Sequence, residues 1–199
     1  MPNKTIFAEM FRKTATKHKE KHKTYTVLDV AGYIINTNLD NGISMTYRRL
    51  NLFLYFAQIQ SFISTNRPIF NGSMYLKGDM PCTQYGENHW KSFLNFPLSR
   101  ITTYWDTSKG ILQINKKPFC PHITMYDREL LDDVIKTLNK YSTKALTDIF
   151  KSHDTYRRAF VYYYYDHEIT WKMMRDYIKQ LPKISTNVED NDYIEKLPK

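Results

Sequence analysis

The chain has 199 residues, 29 of them Lys or Arg against 20 Asp or Glu, for a formal net charge of +9. With 42% hydrophobic residues and 16 Tyr, 11 Phe and 3 Trp, one domain can bury an ample core, which excludes disorder throughout the chain. Two cysteines, Cys82 and Cys120, exclude a disulfide scaffold, and no apolar window is long enough to span a membrane; with no apolar leader, a reducing cytoplasm is the expected compartment.

More than half of the excess charge sits at the start. Residues 1–24 carry Lys4, Arg12, Lys13, Lys17, Lys19, Lys21 and Lys23 against Glu9 and Glu20, a net of +5, which leaves +4 for the remainder. Phe7, Met10, Phe11 and Thr14 fall at helical spacing before the polar stretch 17–23, so a short amphipathic helix running into a solvated basic extension is expected. A mitochondrial address fits less well, because Arg is sparse and acids are present. From Tyr25, an apolar face of Val27, Leu28, Ala31, Ile34 and Ile35 predicts a helix ending in the turn cluster 36–42, where Asp40-Asn41-Gly42 reverses the chain. Residues 45–64 place Leu50, Phe53, Leu54, Ala57 and Phe62 on one side of a central helix that Asn66-Arg67-Pro68 stops.

Between 68 and 125, Pro68, Pro81, Pro97, Pro118 and Pro121 divide the chain into short pieces. Strands are expected at 73–77, 100–105 and 111–115, the last two forming a hairpin around 106–110. Helical periodicity resumes at Asp127 with Leu130, Leu131, Val134, Ile135 and Leu138. Ser142 caps the next helix, which carries Leu146, Ile149 and Phe150, and helices over 154–165 and 168–181 complete the C-terminal half. The stretch 184–199, with Glu189, Asp190, Asp192 and Glu195, reads as an acidic flexible tail. The expected fold is therefore mainly α (α+β): a compact helical domain over 25–183 with a small antiparallel β element in the 70–115 region.

The stretch Leu28-Asp29-Val30-Ala31-Gly32-Tyr33-Ile34-Ile35 is similar to the opening helix of the Panacea-domain antitoxins of prokaryotes and their phages. The likeness continues through Arg49-Leu50-Asn51-Leu52-Phe53-Leu54-Tyr55-Phe56-Ala57-Gln58, strongest over its last five residues, then Pro68-Ile69-Phe70 and Pro81. A fainter echo of the family's Thr-His and Trp lies at Ser152-His153-Asp154-Thr155-Tyr156, extending the resemblance over about 25–165. Asn51-Leu52, Met80 and Lys77-Gly78-Asp79 stand where the family has Gln-Lys, Gly and Trp-Lys-Tyr, so the apolar frame is kept while the polar consensus changes. The resemblance implies a mainly helical fold with a small β element. It also implies action by binding, through neutralisation of a toxin or as an adaptor to a protease, with no catalytic site.

Cys82, His89, Cys120 and His122 are the one soft-ligand cluster, but C-x6-H and C-x-H match no common zinc arrangement, and buried thiols with surface imidazoles are expected instead. Neither metal nor cofactor is expected; glycine-rich phosphate loops are absent. Tyr162, Tyr163, Tyr164 and Tyr165 precede Asp166-His167-Glu168; packing against neighbouring helices and partner contact are both open to these phenols, and Glu168 suits the first turn of the last helix. His153 is expected to lock two helices by hydrogen bonds, beside an ordinary Asp154 to Arg158 pair.

The leading functional reading is a non-enzymatic cytoplasmic antitoxin with a cognate toxin as partner. Its interface is expected on Tyr75, Tyr85, Trp90, Tyr162, Tyr163, Tyr164 and Tyr165, because Tyr and Trp give large contact area at low entropic cost. The alternative is a phage-encoded inhibitor of a host defence protein such as a CRISPR nuclease. A third reading is a nucleic-acid-binding regulator using the basic arm Arg12, Lys13, Lys17, Lys19, Lys21 and Lys23, although that arm equally suits a solvated extension or an acidic protein surface.

Overall fold

The computed structural model describes residues 23–43, 45–83, 102–106, 111–116, 123–161 and 167–181. Six helices appear among them: α1 Val27–Asp40, α2 Tyr47–Thr65, α3 Met125–Leu138, α4 Thr143–Ser152, α5 Asp154–Val161 and α6 Trp171–Lys179. Eight strands accompany them: β1 Tyr25–Thr26, β2 Met45–Thr46, β3 Phe70–Asn71, β4 Met74–Lys77, β5 Met80–Thr83, β6 Thr102–Asp106, β7 Ile111–Lys116 and β8 Glu168–Ile169. The fold is mainly α with a small antiparallel component, as the sequence pattern predicts.

Five of the six helices begin in one way. Thr26, Thr46, Thr124, Ser142 and Thr170 stand at the N-caps in extended conformation, and each side-chain oxygen accepts a hydrogen bond from an amide of the first turn. This satisfies a donor the helix itself leaves open. The residue before each cap is Tyr25, Met45, Ile123, Tyr141 or Ile169, buried or partly buried against the core, which fixes where the chain enters the helix. Ser142 acts as expected. Recognition of the same apolar-Thr pair elsewhere also explains three displaced boundaries: α2 starts at Tyr47 and not at 45, α3 at Met125 and not at 127, and α6 at Trp171 and not at 168.

Helix α1 runs to Asp40, through the asparagines expected to end it. Asn38 is buried, donates from Nδ2 to the Ile34 carbonyl (2.8 Å) and accepts on Oδ1 from Asn139 (2.8 Å), so its polar group is used within the fold. The reversal that follows has Gly42 at φ 70, where a side chain would be strained. Helix α2 differs from its one-sided expectation, since every residue from Leu50 to Phe62 is buried. It is the central helix, against which α1, α3, α4, α6 and β5 pack. Asn66 caps its end at φ 55, giving its amide to the Phe62 carbonyl.

Three small sheets surround this helix. β4 pairs antiparallel with β5 and β8, β7 pairs antiparallel with β2 and β6, and β1 pairs parallel with β3. The β6–β7 pairing matches the expected hairpin strands. β5 holds Pro81, and it lies at a sheet edge where a missing amide costs little. Glu168, expected in a helix, lies in β8 opposite Tyr75, and its carboxylate accepts from the Ser73 hydroxyl. The β4–β5 turn, with Gly78 at φ 63, is tied down by Asp79, which pairs with Arg48 of α2 (2.8 Å) and Lys151 of α4 (3.1 Å).

Arg49 closes the far end of α3. Its guanidinium donates to the Leu138 and Tyr141 carbonyls (3.3 and 3.0 Å), Asn139 Oδ1 (3.2 Å) and Thr143 Oγ1 (3.4 Å), while lying over the Phe53 ring at 5.0 Å. A cation at a helix C-terminus complements the carbonyls left open there. Arg49→Met is expected to cost about 1–2 kcal/mol through these lost charged hydrogen bonds, read as a lower urea midpoint. Arg49→Lys should recover only part, because an ammonium cannot span four acceptors; full recovery would show that charge alone suffices.

Candidate partner-binding site

Three buried polar residues on α2 set the position of everything around it. Asn51 donates to the Tyr47 carbonyl (3.0 Å) and accepts from the Thr83 amide (3.3 Å), which fixes β5. Gln58 accepts from the Ile69 and Phe70 amides (3.2 and 3.4 Å) and donates to the Phe70 carbonyl (3.4 Å), which fixes β3. Between them, the Tyr55 hydroxyl meets His153 Nδ1 (2.9 Å) and Thr155 Oγ1 (2.6 Å) at the junction of α4 and α5. With a neutral imidazole, Tyr55 donates to the ring nitrogen and accepts from Thr155, and both bonds are satisfied.

The His153 ring stacks on Tyr177 of α6 (4.2 Å, 25°) and meets Phe56 edge-on (5.8 Å), while Phe150 meets Tyr55 edge-on (4.8 Å). His153, Tyr55 and Thr155 are fully buried. Burial pushes the His153 pKa down to about 3 and the Tyr55 phenol well above its ordinary range. The imidazole is thus neutral at physiological pH, and the cluster locks α2, α4, α5 and α6 together as the helix-locking reading expects. Asp154 and Arg158 form the expected pair (2.6 Å). A buried carboxylate, Asp127, accepts from the hydroxyls of Tyr25 (2.7 Å) and Thr124 (2.7 Å), joining α3 to β1.

On this frame α5 packs on β4 and β8. Tyr75 is half-buried on β4, between Cys82 of β5 and Glu168 of β8. Tyr85, Trp90, Tyr162, Tyr163, Tyr164 and Tyr165 lie outside the described residues, as do Arg12, Lys13, Lys17, Lys19 and Lys21 of the basic arm. Lys23 is exposed. Sequence reasoning missed two exposed aromatics: Phe160 of α5 is 49% exposed, with Tyr156 stacked on it (5.6 Å, 24°), and Trp171 of α6 is 37% exposed. The helical period sets Phe160 about 100–140° away from the buried Ala159 and Thr155, which was an available signal, whereas Trp171 lies only about 60° from the buried Met174 and gave none.

Cys82 is a buried thiol, in line with expectation, whereas His89, Cys120 and His122 lie outside the described residues. Among the described residues no three or more of His, Cys, Asp and Glu gather as metal ligands, and no helix is long and apolar enough to cross a membrane.

The family model described as "Antitoxin SocA-like, Panacea domain" matches residues 50–155, just over half of the chain. The match runs from the first turn of α2 to Thr155 at the start of α5, and so contains Asn51, Tyr55, Gln58, His153 and Thr155. No curated protein and no solved structure matches the chain.

Proposed function

The chain belongs to the SocA-like antitoxin family with a Panacea domain, and on that premise we propose that it neutralises a toxin by direct protein–protein contact. One observation carries the reading: the family match covers α2 together with the buried polar ties that hold the surrounding elements to it. Such a frame holds Tyr75 in place before a partner arrives, which lowers the ordering cost of binding. We assign the contact to Tyr75, Tyr85, Trp90, Tyr162, Tyr163, Tyr164 and Tyr165. Glu168, only three residues beyond Tyr165, pairs with Tyr75, which favours a shared surface for the two.

Co-expression with the neighbouring gene tests this. The neighbour should arrest growth alone, and the chain should relieve the arrest; a harmless neighbour, or arrest that persists, overturns the antitoxin reading. Replacing Tyr75, Tyr162, Tyr163, Tyr164 and Tyr165 by Ala should weaken the complex at least 100-fold, at about 1 kcal/mol or more for each of several anchors, measured where circular dichroism shows the variant folded, since Tyr75 is half-buried on β4. Unweakened binding would remove the aromatic interface and leave the antitoxin reading standing. A toxin level that stays constant during rescue indicates sequestration, and a falling level indicates handover to a protease.

A further inference from the structure

Helix α6 has two distinct sides. At 100° per residue, Trp171, Lys172, Arg175, Asp176 and Lys179 fall within an arc of about 140°, while Met174 and Tyr177 face the core. Lys172 and Lys179 are exposed. The Arg175 guanidinium lies over the Phe62 ring at 5.1 Å, and Phe62 meets Trp171 edge-on at 6.3 Å. Asp176, the single acid of the arc, is turned to Arg158 (3.6 Å). Among the described residues Lys172, Arg175 and Lys179 enter no ion pair, and Arg175 Nε is buried without a hydrogen-bond partner. The face thus offers three uncompensated cations beside an open indole.

Directly beyond α6 the chain supplies the complement. Glu189, Asp190, Asp192 and Glu195 alternate with Val188, Tyr193 and Ile194. Leu181 and Glu189 are eight residues apart, a reach of about 26 Å when extended, whereas α6 rises only about 13 Å. The segment is long enough to double back along the whole helix, and tethering raises its effective concentration to about the millimolar range.

We infer that the solvent face of α6 is the docking site of the chain's own acidic segment, residues 188–195, whose carboxylates meet Lys172, Arg175 and Lys179 and whose apolar side chains meet Trp171. With the tail in place, an anionic partner reaches α6 only by displacing it.

The test uses the full chain carrying E189Q, D190N, D192N and E195Q together, compared with the unaltered chain by amide and indole chemical shifts. Neutralising the tail should move the signals of α6 and the Trp171 indole, and 500 mM NaCl should move the unaltered chain toward the same positions. A synthetic peptide of residues 186–197, added to the neutralised chain, should restore the original positions, with binding at least five-fold weaker when K172E and K179E are also present. Unmoved α6 signals overturn the inference. So do changes that map to residues 1–24, which would place the tail on the basic arm, and α6 shifts that vanish on dilution, which would make the occupant a second copy.

Discussion

Acidification from pH 7 to 4.5 is expected to remove roughly 2–3 kcal/mol of folding stability through His153 alone. The folded chain holds this imidazole at a pKa of about 3 because it is fully buried between Tyr55, Phe56 and Tyr177, whereas an unfolded histidine titrates near 6.5. The folded pKa is depressed, so below about 6.5 the unfolded chain binds a proton that the folded chain refuses. Stability is full above that pH and falls progressively toward pH 3. A loss of this size is a large share of the roughly 5–15 kcal/mol available to a domain. Protonation also turns Nδ1 into a donor, so the hydrogen bonds from His153 through Tyr55 to Thr155 must reverse direction.

Urea unfolding at pH 7.5, 6.5, 5.5 and 4.5 measures this, with His153→Gln as the reference. The amide can accept from Tyr55 but cannot take up a proton, so its stability should fall less steeply over the same range, and subtraction cancels the other five histidines. Parallel curves for the two chains would show that His153 does not titrate as its burial requires. Asp79 acts in a lower window. Burial tends to raise its carboxyl, but the hydrogen bond from Lys151 and the nearby charge of Arg48 outweigh that and hold it below the ordinary range. Its contribution is therefore kept above the usual carboxylate pKa and lost only as pH falls further.

Gln58→Leu is expected to cost about 2–4 kcal/mol although leucine fills nearly the same space. One amide group accepts from two buried backbone N–H groups and donates to one buried carbonyl, and a buried donor without an acceptor costs roughly 1–3 kcal/mol. The effect should also be directional. β3 is held by Gln58 on one side and by β1 on the other, where the Tyr25 amide donates to the Ile69 carbonyl at 2.9 Å. Hydrogen exchange of Ile69, Phe70 and Tyr25 should accelerate well beyond that of α3. Equal acceleration everywhere would mean that Gln58 contributes to global stability without fixing β3 in particular.

These two residues show how the resemblance is best understood. Leu54-Tyr55-Phe56-Ala57-Gln58, its strongest stretch, lies wholly inside the molecule. Its polar members bind other elements of the same chain, so likeness there reports how the core is assembled. The departures at Lys77, Gly78 and Asp79 lie at a turn, where Asp79 forms its own ion pairs with Arg48 and Lys151. The expected toxin contact at Tyr75 lies on β4, the middle strand of its sheet, two residues before that turn.

Local order along the chain was legible from local chemistry. Apolar residues at helical spacing marked α1, α3 and α4, the length and apolar face of 45–64 marked α2 as central, and Asn66-Arg67-Pro68 marked its end. Strands β4, β6 and β7 were long enough for their composition to register. The two-residue strands were not, because two residues carry no period and become strands only when a distant partner aligns with them. Glu168 was assigned to a helix for the same reason: its first-turn preference is local, but β4 and the apolar-Thr cap at 169–170 place it in a strand.

For the expected site the sequence alone supplied the aromatic composition and the basic excess, while the tertiary structure decided, among the described residues, which aromatics are surface and which are core. Tyr55 and Tyr177 are buried, Tyr75 is half-buried and Phe160 is exposed, yet all are aromatic residues in amphipathic or apolar stretches. Side-chain type and period determine how a segment folds locally. Only the meeting of residues about a hundred positions apart, as Tyr55 meets His153 and Tyr25 meets Asp127, determines what each polar group is for, because a buried hydrogen bond needs both of its ends.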